Sequence, residues 1–507
     1  MRFARYGFEG SPRGRRGKAV LAVALGLAWT GSARAHGGPP RGTQILVEPG
    51  NPNDIVIHSD YWGLFRSTDG AKTWNYYCAE AWGASSLNSS RSSTLLLGGG
   101  RLLVASSFEG LAISDEPCSW HASSSFSSQQ SLQDIVPFGS DVIAVSDFAS
   151  DGGIESALLR SSDNGETWTR FGGALPANFS GEGVAVAPSD PNRIYVAGAT
   201  SSTYDLAVSM DGGASFALRP IPLSLDPDTY WMLRVRLVHP TRPDALVIWV
   251  DGGDLTDDVA DQLWASSDAG VHWTQMFLGS GDLPGFALSP DHTTLLVGAP
   301  GGLSLGGLQG IQSAPLDDAI ANGQSAFTEI YDQPVWGLDW TSTGLYAGTN
   351  EFTANDVPPR SMLSVSHDGG HTFSKVMDLC QVQFPACPSS TTEQVCVTPA
   401  SLPSVGNGGL DYDYLEGPLC MATSGSDAGA SPSGDASSRP PPAASGAHDS
   451  DGGAASSDHL SIHACSVGVV ATRGDGVGIF SGLFALLASS FRIARRRSLA
   501  AETRRLR

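Results

Sequence analysis

Carboxylates recur along this chain at a fixed distance from a serine on one side and a large aromatic ring on the other. Ser161 to Trp168 reads SSDNGETW, Ser209 to Phe216 reads SMDGGASF, and Ser366 to Phe373 reads SHDGGHTF. Ser266 to Trp273 reads SSDAGVHW, with His272 replacing the hydroxyl residue. Ser67 to Trp74 reads STDGAKTW, with Ala71 where the second glycine belongs. A carboxylate can act as general acid, base or metal ligand, but these neighbours point to a different chemistry. Asp accepts backbone N–H bonds inside a tight turn. Glycine supplies a positive φ, the Ser/Thr hydroxyl satisfies a second turn group, and the closing ring buries apolar surface. Asp69, Asp163, Asp211, Asp268 and Asp368 are therefore expected to hold turns, with Trp74, Trp168, Phe216, Trp273 and Phe373 packed into the blades they close. A sixth copy keeps only Asp115, Ser119 and Trp120, and a seventh, near Phe327, is almost erased.

Other constellations are weaker. The chain has no H-E-x-x-H, no phosphate-binding G-x-x-x-x-G-K-[ST] and no dinucleotide fingerprint. Gly302 to Gly306 fits G-x-S-x-G, but it lies among β-type runs and lacks the strand–turn–helix elbow that pattern needs. His367 and His371 flank Asp368, yet a hairpin turn does not bring i and i+4 to one face as a helix does. The stretch from Asp251 to Asp261 holds Asp251, Asp254, Asp257, Asp258 and Asp261, hard oxygen ligands of the kind calcium takes. A solvated acidic loop is the preferred reading, and no cofactor is expected.

The closing aromatics give the period of the elements that position these turns. From Trp74 the intervals to Trp120, Trp168, Phe216, Trp273, Phe327 and Phe373 are 46, 48, 48, 57, 54 and 46 residues. Three short apolar runs precede each closing ring: 132–138, 141–146 and 157–161 before Trp168, and 183–188, 193–198 and 206–209 before Phe216. Each is rich in Val, Ile and Leu and is bounded by Gly, Pro, Asp or Asn. No long helical period runs through residues 41–380, which excludes a helical solenoid. The pattern predicts an all-β fold, a seven-bladed β-propeller of four-stranded antiparallel blades over 41–380. Each serine-to-aromatic turn then falls between a blade's third and fourth strands.

These strings resemble the Asp-box, or BNR, repeats of sialidases, sortilin-type receptors and xyloglucan-hydrolase-type propellers. Five good copies and two decayed ones cover roughly residues 41–380. The resemblance implies the fold and turns at the periphery, facing away from the functional site. It says little about activity. Sialidase chemistry would need an arginine triad for the substrate carboxylate and a Tyr/Glu nucleophile pair. The Phe/Tyr-Arg-Ile-Pro signature is missing, and Asn192-Arg193-Ile194-Tyr195 reads as strand. Two-carboxylate glycoside hydrolysis is the remaining enzymatic reading, because acids abound.

The two ends differ from the middle. Residues 1–35 order a basic stretch, an apolar run from Ala19 to Trp29 and Ala33-Arg34-Ala35, the pattern of a cleaved signal peptide. Between His36 and Leu460 stand 15 Lys and Arg against 48 Asp and Glu. An ectodomain this acidic repels nucleic acid and anionic lipid. Of seven cysteines, six fall in the exported part, and an even number there points to disulfides of undetermined connectivity. Four lie in the cysteine-rich extension 381–420 and its edge, at Cys380, Cys387, Cys396 and Cys420; Cys78 and Cys118 are a candidate staple between the first two repeats. Residues 421–464 form a Ser/Gly/Ala/Pro linker too poor in apolar residues to order itself. Residues 465–507 hold Cys465, a short apolar helix from Val477 to Phe491, and Arg492, Arg495, Arg496 and Arg497. This tail resembles the C-terminal sorting tails of myxobacterial surface proteins, which implies processing near Cys465; a plain membrane anchor is the alternative.

Together these features predict an exported, non-catalytic propeller, outer membrane-associated at the cell surface or extracellular. It would recognise a glycan or protein partner and touch the membrane through its C-terminal tail before any processing. The alternative is a secreted glycoside hydrolase. The loops joining second and third strands share the face opposite the Asp-boxes, and the candidate ligand residues Tyr61, Trp62, Tyr204 and Asp251 lie there. Trp231 joins them from a loop between blades.

Overall fold

A computed structural model of the chain describes residues 42–59, 63–82, 92–107, 110–116, 119–126, 130–150, 153–200, 202–223, 232–252, 261–278, 283–301, 308–349, 362–377 and 382–383. The chain divides into two units, Met1–Ser424 and Gly425–Arg507. The second unit, the linker and the C-terminal tail lie outside the described residues, as do the signal segment and nearly all of the cysteine-rich extension.

The expected propeller is found. Seven sheets follow one another along the chain, each with four antiparallel strands in sequence order. The innermost strands are Gly42–Glu48, Ser93–Leu96, Gln130–Phe138, Ser180–Ala187, Met232–Val238, Gly285–Leu288 and Gly337–Thr341, and we number blades 1 to 7 by them. Second and third strands are the apolar heart of each blade. Gly63–Ser67 in blade 1, Leu102–Ser106 in blade 2 and Tyr204–Ser209 in blade 4 are buried at every residue. Sheets covered on both faces need continuous rather than alternating apolar residues, and these runs supply them.

Blade 1 takes its four antiparallel strands from the N-terminal side, and a short C-terminal strand adds a fifth to the same sheet. Glycines make the seam: a Cβ on Gly348 would stand 2.0 Å from the Gly42 carbonyl oxygen, and one on Gly337 2.5 Å from it. Asp339 of blade 7 accepts the Val47 N–H of blade 1 at 3.1 Å. Beyond blade 7, Val382–Gln383 returns across the seam and pairs in parallel with Trp74–Cys78, the outermost strand of blade 1. Cys78 in that strand is disulfide-bonded; its partner lies outside the described residues.

Blade 6 departs from the repeat. Where an erased seventh turn is expected, the helix Leu316–Asn322 follows Pro315 and carries Asp317 and Asp318 in its first turn, where carboxylates suit the helix dipole. Phe327 still closes the corner, edge-on against Phe277 of blade 5 at 4.7 Å between centroids. The packing role persists although the turn chemistry has changed.

Candidate functional site on the propeller axis

The five well-formed corners share one hydrogen-bond scheme. In blade 3, Ser161 Oγ donates to Asp163 Oδ1 at 2.7 Å and accepts the Gly165 N–H at 2.8 Å. Thr167 donates its N–H to Oδ1 at 2.9 Å and its hydroxyl to Oδ2 at 2.6 Å. The same bonds recur around Asp69, Asp211 and Asp368. At Asp268 the His272 ring replaces the hydroxyl, with Nδ1 at 2.6 Å from Oδ2. Hydrogen bonds to the ionised form hold these carboxyls low. The Thr73 amide and hydroxyl bring Asp69 to about 2, and the Ser215 hydroxyl and amide do the same for Asp211. At Asp268 burial pushes upward, but the His272 amide and ring outweigh it, again to about 2. The carboxylates at these corners are committed to their own turns.

The corner rings differ from the expectation of burial within their own blade. Trp74 is wholly buried, but Trp168, Phe216, Trp273 and Phe373 are only partly so, because they pack across blade boundaries. Trp168 meets Phe126 at 5.7 Å between centroids, and Phe373 meets Tyr331 of the preceding blade at 4.7 Å. Arginines add to the stapling: Arg101 donates to the Asp163 and Asn164 carbonyls, and Arg219 to those of Asp268 and Ala269.

A second set of carboxylates lies on the inner strands. Asp134 of blade 3 accepts the Val184 N–H of blade 4 at 3.0 Å, and Glu182 of blade 4 accepts the Leu233 N–H of blade 5 at 2.9 Å. Asp339 closes the series at the seam, and in blade 1 Gln44 accepts the Thr94 N–H of blade 2 at 3.3 Å. Bulges set up this side of the ring. The register steps from Gly42 to Gln44, from Leu132 to Asp134, from Gly181 to Gly183 and from Val235 to Leu237, which makes Thr43, Gln133, Glu182 and Arg236 the extra residues of the bulges. A bulge re-aims the extra side chain; at Glu182 it reaches the next blade.

Blade 5 places arginine at the bulge. Arg236 lines a cavity of about 230 Å³ on the axis together with Thr43, Gln44, Ser93, Thr94 and Phe286, which come from the inner strands of blades 1, 2 and 6. Its guanidinium lies 4.3 Å from the centroid of the Trp249 ring. The Arg236 Nε and an Nη of Arg234 are sealed from solvent with no hydrogen-bond partner. Burial, reinforced by the like charge of Arg234, lowers Arg236 to about 10, against the opposing fields of Asp134, Asp261 and Asp251. Asp261 is already engaged: it takes the Trp249 Nε1–H at 3.0 Å, the Gly252 N–H at 2.9 Å and the Leu283 N–H at 2.7 Å.

Sequence reasoning placed its candidate ligand residues elsewhere. Tyr61, Trp62 and Trp231 lie outside the described residues, as do 253–260, most of the acidic loop, and Gly302 to Gly306. Tyr204 is buried to 5% exposure in the packing between blades 4 and 5, with Leu206, Ile221 and Leu233, which leaves its ring no free face for a ligand. Asp251 ends the second strand of blade 5, opposite Met232, and is partly exposed. Among the described residues no three His, Cys, Asp or Glu side chains are grouped to hold a metal ion, and no helix is long and apolar enough to cross a membrane. Arg234 and Arg236 were missed as site residues. Their signal was two arginines in the otherwise apolar strand MLRVRLV of an acidic chain.

The molecule is thus a seven-bladed β-propeller with a charged axial cavity. No family model matches the chain, and no curated protein matches it. Solved propellers are similar to it in fold. An ancestral GH74 enzyme is 16% identical over 67% of this chain, with a TM-score of 0.46; the matched region spans 46% of that enzyme's own length. The GH74 xyloglucanase of Xanthomonas campestris is 14% identical over 69% of this chain and 66% of its own, with a TM-score of 0.31. A Hadza microbial sialidase is 16% identical over 51% of this chain and 62% of its own, with a TM-score of 0.34.

Proposed function

We propose that the chain is an exported propeller that recognises an extracellular glycan or protein without transforming it. One observation carries this reading: the inner-strand carboxylates Asp134, Glu182 and Asp339, and Asp261 near Arg236, all accept backbone amides. Glycoside hydrolysis needs two carboxyl groups with free oxygens facing the scissile bond, roughly 5–10 Å apart. Carboxylates that tie blades together are poorly suited to exchange protons with a substrate. The free charge at the axis is instead cationic. Export rests on the signal-type segment at residues 1–35 and on the disulfide at Cys78, a bond that persists in oxidising compartments. Display at the cell surface through the 421–464 linker and the 465–507 tail belongs to the same proposal.

Incubating the purified protein with sialosides, xyloglucan and other β-glucans, alongside glycan and peptide arrays, tests it. Saturable binding without product is the expected result. Turnover abolished by one carboxylate substitution would establish a glycoside hydrolase instead.

A further inference from the structure

Arginines are scarce in this ectodomain, and the structure gives nearly all of them a partner. Of nine arginines among the described residues, six form ion pairs: Arg66 with Asp54, Arg101 with Asp115 and Glu166, Arg160 with Asp141, Arg170 with Glu155, Arg193 with Asp244, and Arg242 with Asp317. Arg219 donates to two carbonyls. Arg234 and Arg236 alone have neither an ion pair nor a hydrogen bond, and they stand two residues apart on one inner strand. Burying a guanidinium without a direct ion pair is costly, a cost that the fields of Asp134, Asp261 and Asp251 offset only in part, and a sealed N–H donor without an acceptor adds to it. The neighbouring groups do not supply what is missing. Asp134 takes the Ser93 hydroxyl and two backbone amides, Asp261 takes the indole and two amides, and Thr94 Oγ1 lies 2.8 Å from His58 Nδ1. The cavity beside Arg236, at about 230 Å³, has room for several waters or a small ion, given about 30 Å³ of liquid volume per water.

We infer that the axial cavity binds a small tetrahedral oxyanion of the sulfate or phosphate class, held by Arg236, which lines it, and attracted by the like charge of Arg234 two residues away. The planar guanidinium fork matches such oxygens two at a time. Trp249 holds the Arg236 guanidinium from its ring face, which leaves the N–H edges for the ligand. The anion neutralises the two cations and ties blade 5 to the axis. The same group could arrive as a free ion or as an ester on a sugar. The inference deepens the recognition reading, since both use the axis, but it has its own readout.

The test is calorimetric and thermal titration of the full exported protein with inorganic sulfate and phosphate at constant ionic strength, chloride serving as the control salt. A second arm uses glucose 6-sulfate. Saturable binding to one site and a melting temperature that rises with sulfate beyond the chloride control are expected. Arg236→Gln and Arg234→Gln should each weaken binding at least tenfold, while Arg160→Gln, on the outer part of blade 3, leaves it unchanged. Arg236→Met should melt no lower than the parent in chloride, because it removes an unpaired buried cation. Equal response to sulfate and the ester assigns the group to either source; response to the ester alone assigns it to a glycan. Absence of saturable binding in the parent protein overturns the inference and leaves water as the occupant, as does binding that survives both glutamine substitutions. Silent glycan and peptide arrays with a positive sulfate titration would sink the recognition reading and keep the anion site.

Discussion

The rim and the axis of this propeller handle charge in opposite ways. At the rim each corner aspartate is saturated by its own turn, and arginines that reach the rim find carboxylates on their own or the next blade, or turn carbonyls on the next. At the axis the carboxylates are saturated too, but by backbone amides of neighbouring blades, and two arginines stay unpaired. A saturated corner fixes geometry and offers nothing to a ligand. An unsaturated cation in a cavity is the reverse, since it costs stability until something binds. The contrast places the architecture at the rim, and the anion site we propose would put the chemistry at the axis.

The comparison breaks if buried arginines of the two regions respond alike. Arg66 is 2.9 Å through Nε and 2.6 Å through Nη2 from the Asp54 carboxylate, and it also donates to the Gly100 carbonyl of blade 2. Both side chains are nearly sealed from water. Asp54→Ala strands that cation, and we expect a loss of about 3–5 kcal/mol by urea denaturation. Arg236→Met, which removes a cation already stranded, should change stability by less than about 1 kcal/mol in chloride. Similar losses at both positions would mean that Arg236 has a partner after all.

Corner rings sharpen the picture within the rim itself. Trp74 is completely buried at the seam among Tyr76, Met362, Leu363 and Met377, so Trp74→Ala should cost about 3–5 kcal/mol. Trp168 is partly exposed, although its Nε1–H donates to the Gly165 carbonyl at 2.8 Å; Trp168→Ala should cost less, about 1–3 kcal/mol. Equal melting shifts for the two variants would mean that the seam is no tighter than other blade boundaries.

Much of the rim was legible because its information is local. Ser161, Asp163, Gly165, Thr167 and Trp168 satisfy one another within eight residues, so their types and spacing are visible in a single string. The axis was not legible, because its partners lie about one blade apart or, for Val47 and Asp339, across the whole ring. Arg234 and Arg236 could be read as strand residues, but strict two-residue alternation does not reveal the bulge that displaces Arg236. The helix Leu316–Asn322 escaped for another reason. Seven residues are too few for a helical period to stand out, and Phe327 kept the spacing of the repeat while the turn before it was replaced.

Acidity separates the two regions as well. Burial raises Asp339 to about 6, against the Val47 and Trp340 amides that favour its charge. A carboxyl whose folded value lies above its unfolded value of 3.8 stabilises the fold fully below pH 3.8 and loses that contribution as pH rises through 6. Corner aspartates run the other way: the depressed values of Asp69, Asp211 and Asp268 stabilise the fold above about pH 4, and that contribution is lost as pH falls through 2. Asp339→Asn keeps an oxygen acceptor for the Val47 N–H and has no charge to bury. It should therefore gain about 1–2 kcal/mol on the parent between pH 4 and 6.5, after allowance for partial exposure. Chemical denaturation across that range checks it, and a constant difference between the two proteins would remove Asp339 as the titrating group.

The smallest effect tests how strictly the corner needs glycine. Ala71 adopts φ 67° at the position where Gly165, Gly213, Gly270 and Gly370 lie between 87° and 100°. A left-handed alanine carries about 1–2 kcal/mol of strain. Ala71→Gly relieves it but frees the unfolded chain by about 0.4–1 kcal/mol and gives up a methyl packed against the seam cluster, worth about 0.8 kcal/mol. These contributions nearly cancel, so the variant should lie within about 1 kcal/mol of the parent. Gly165→Ala has no such compensation. Its Cβ would meet Leu103 Cδ2 at 2.9 Å in a backbone already at φ 97°, and a loss of about 1–3 kcal/mol is expected. If both substitutions proved neutral, the corners would be soft, and the rigidity of the rim would have to come from the aromatic and arginine contacts between blades.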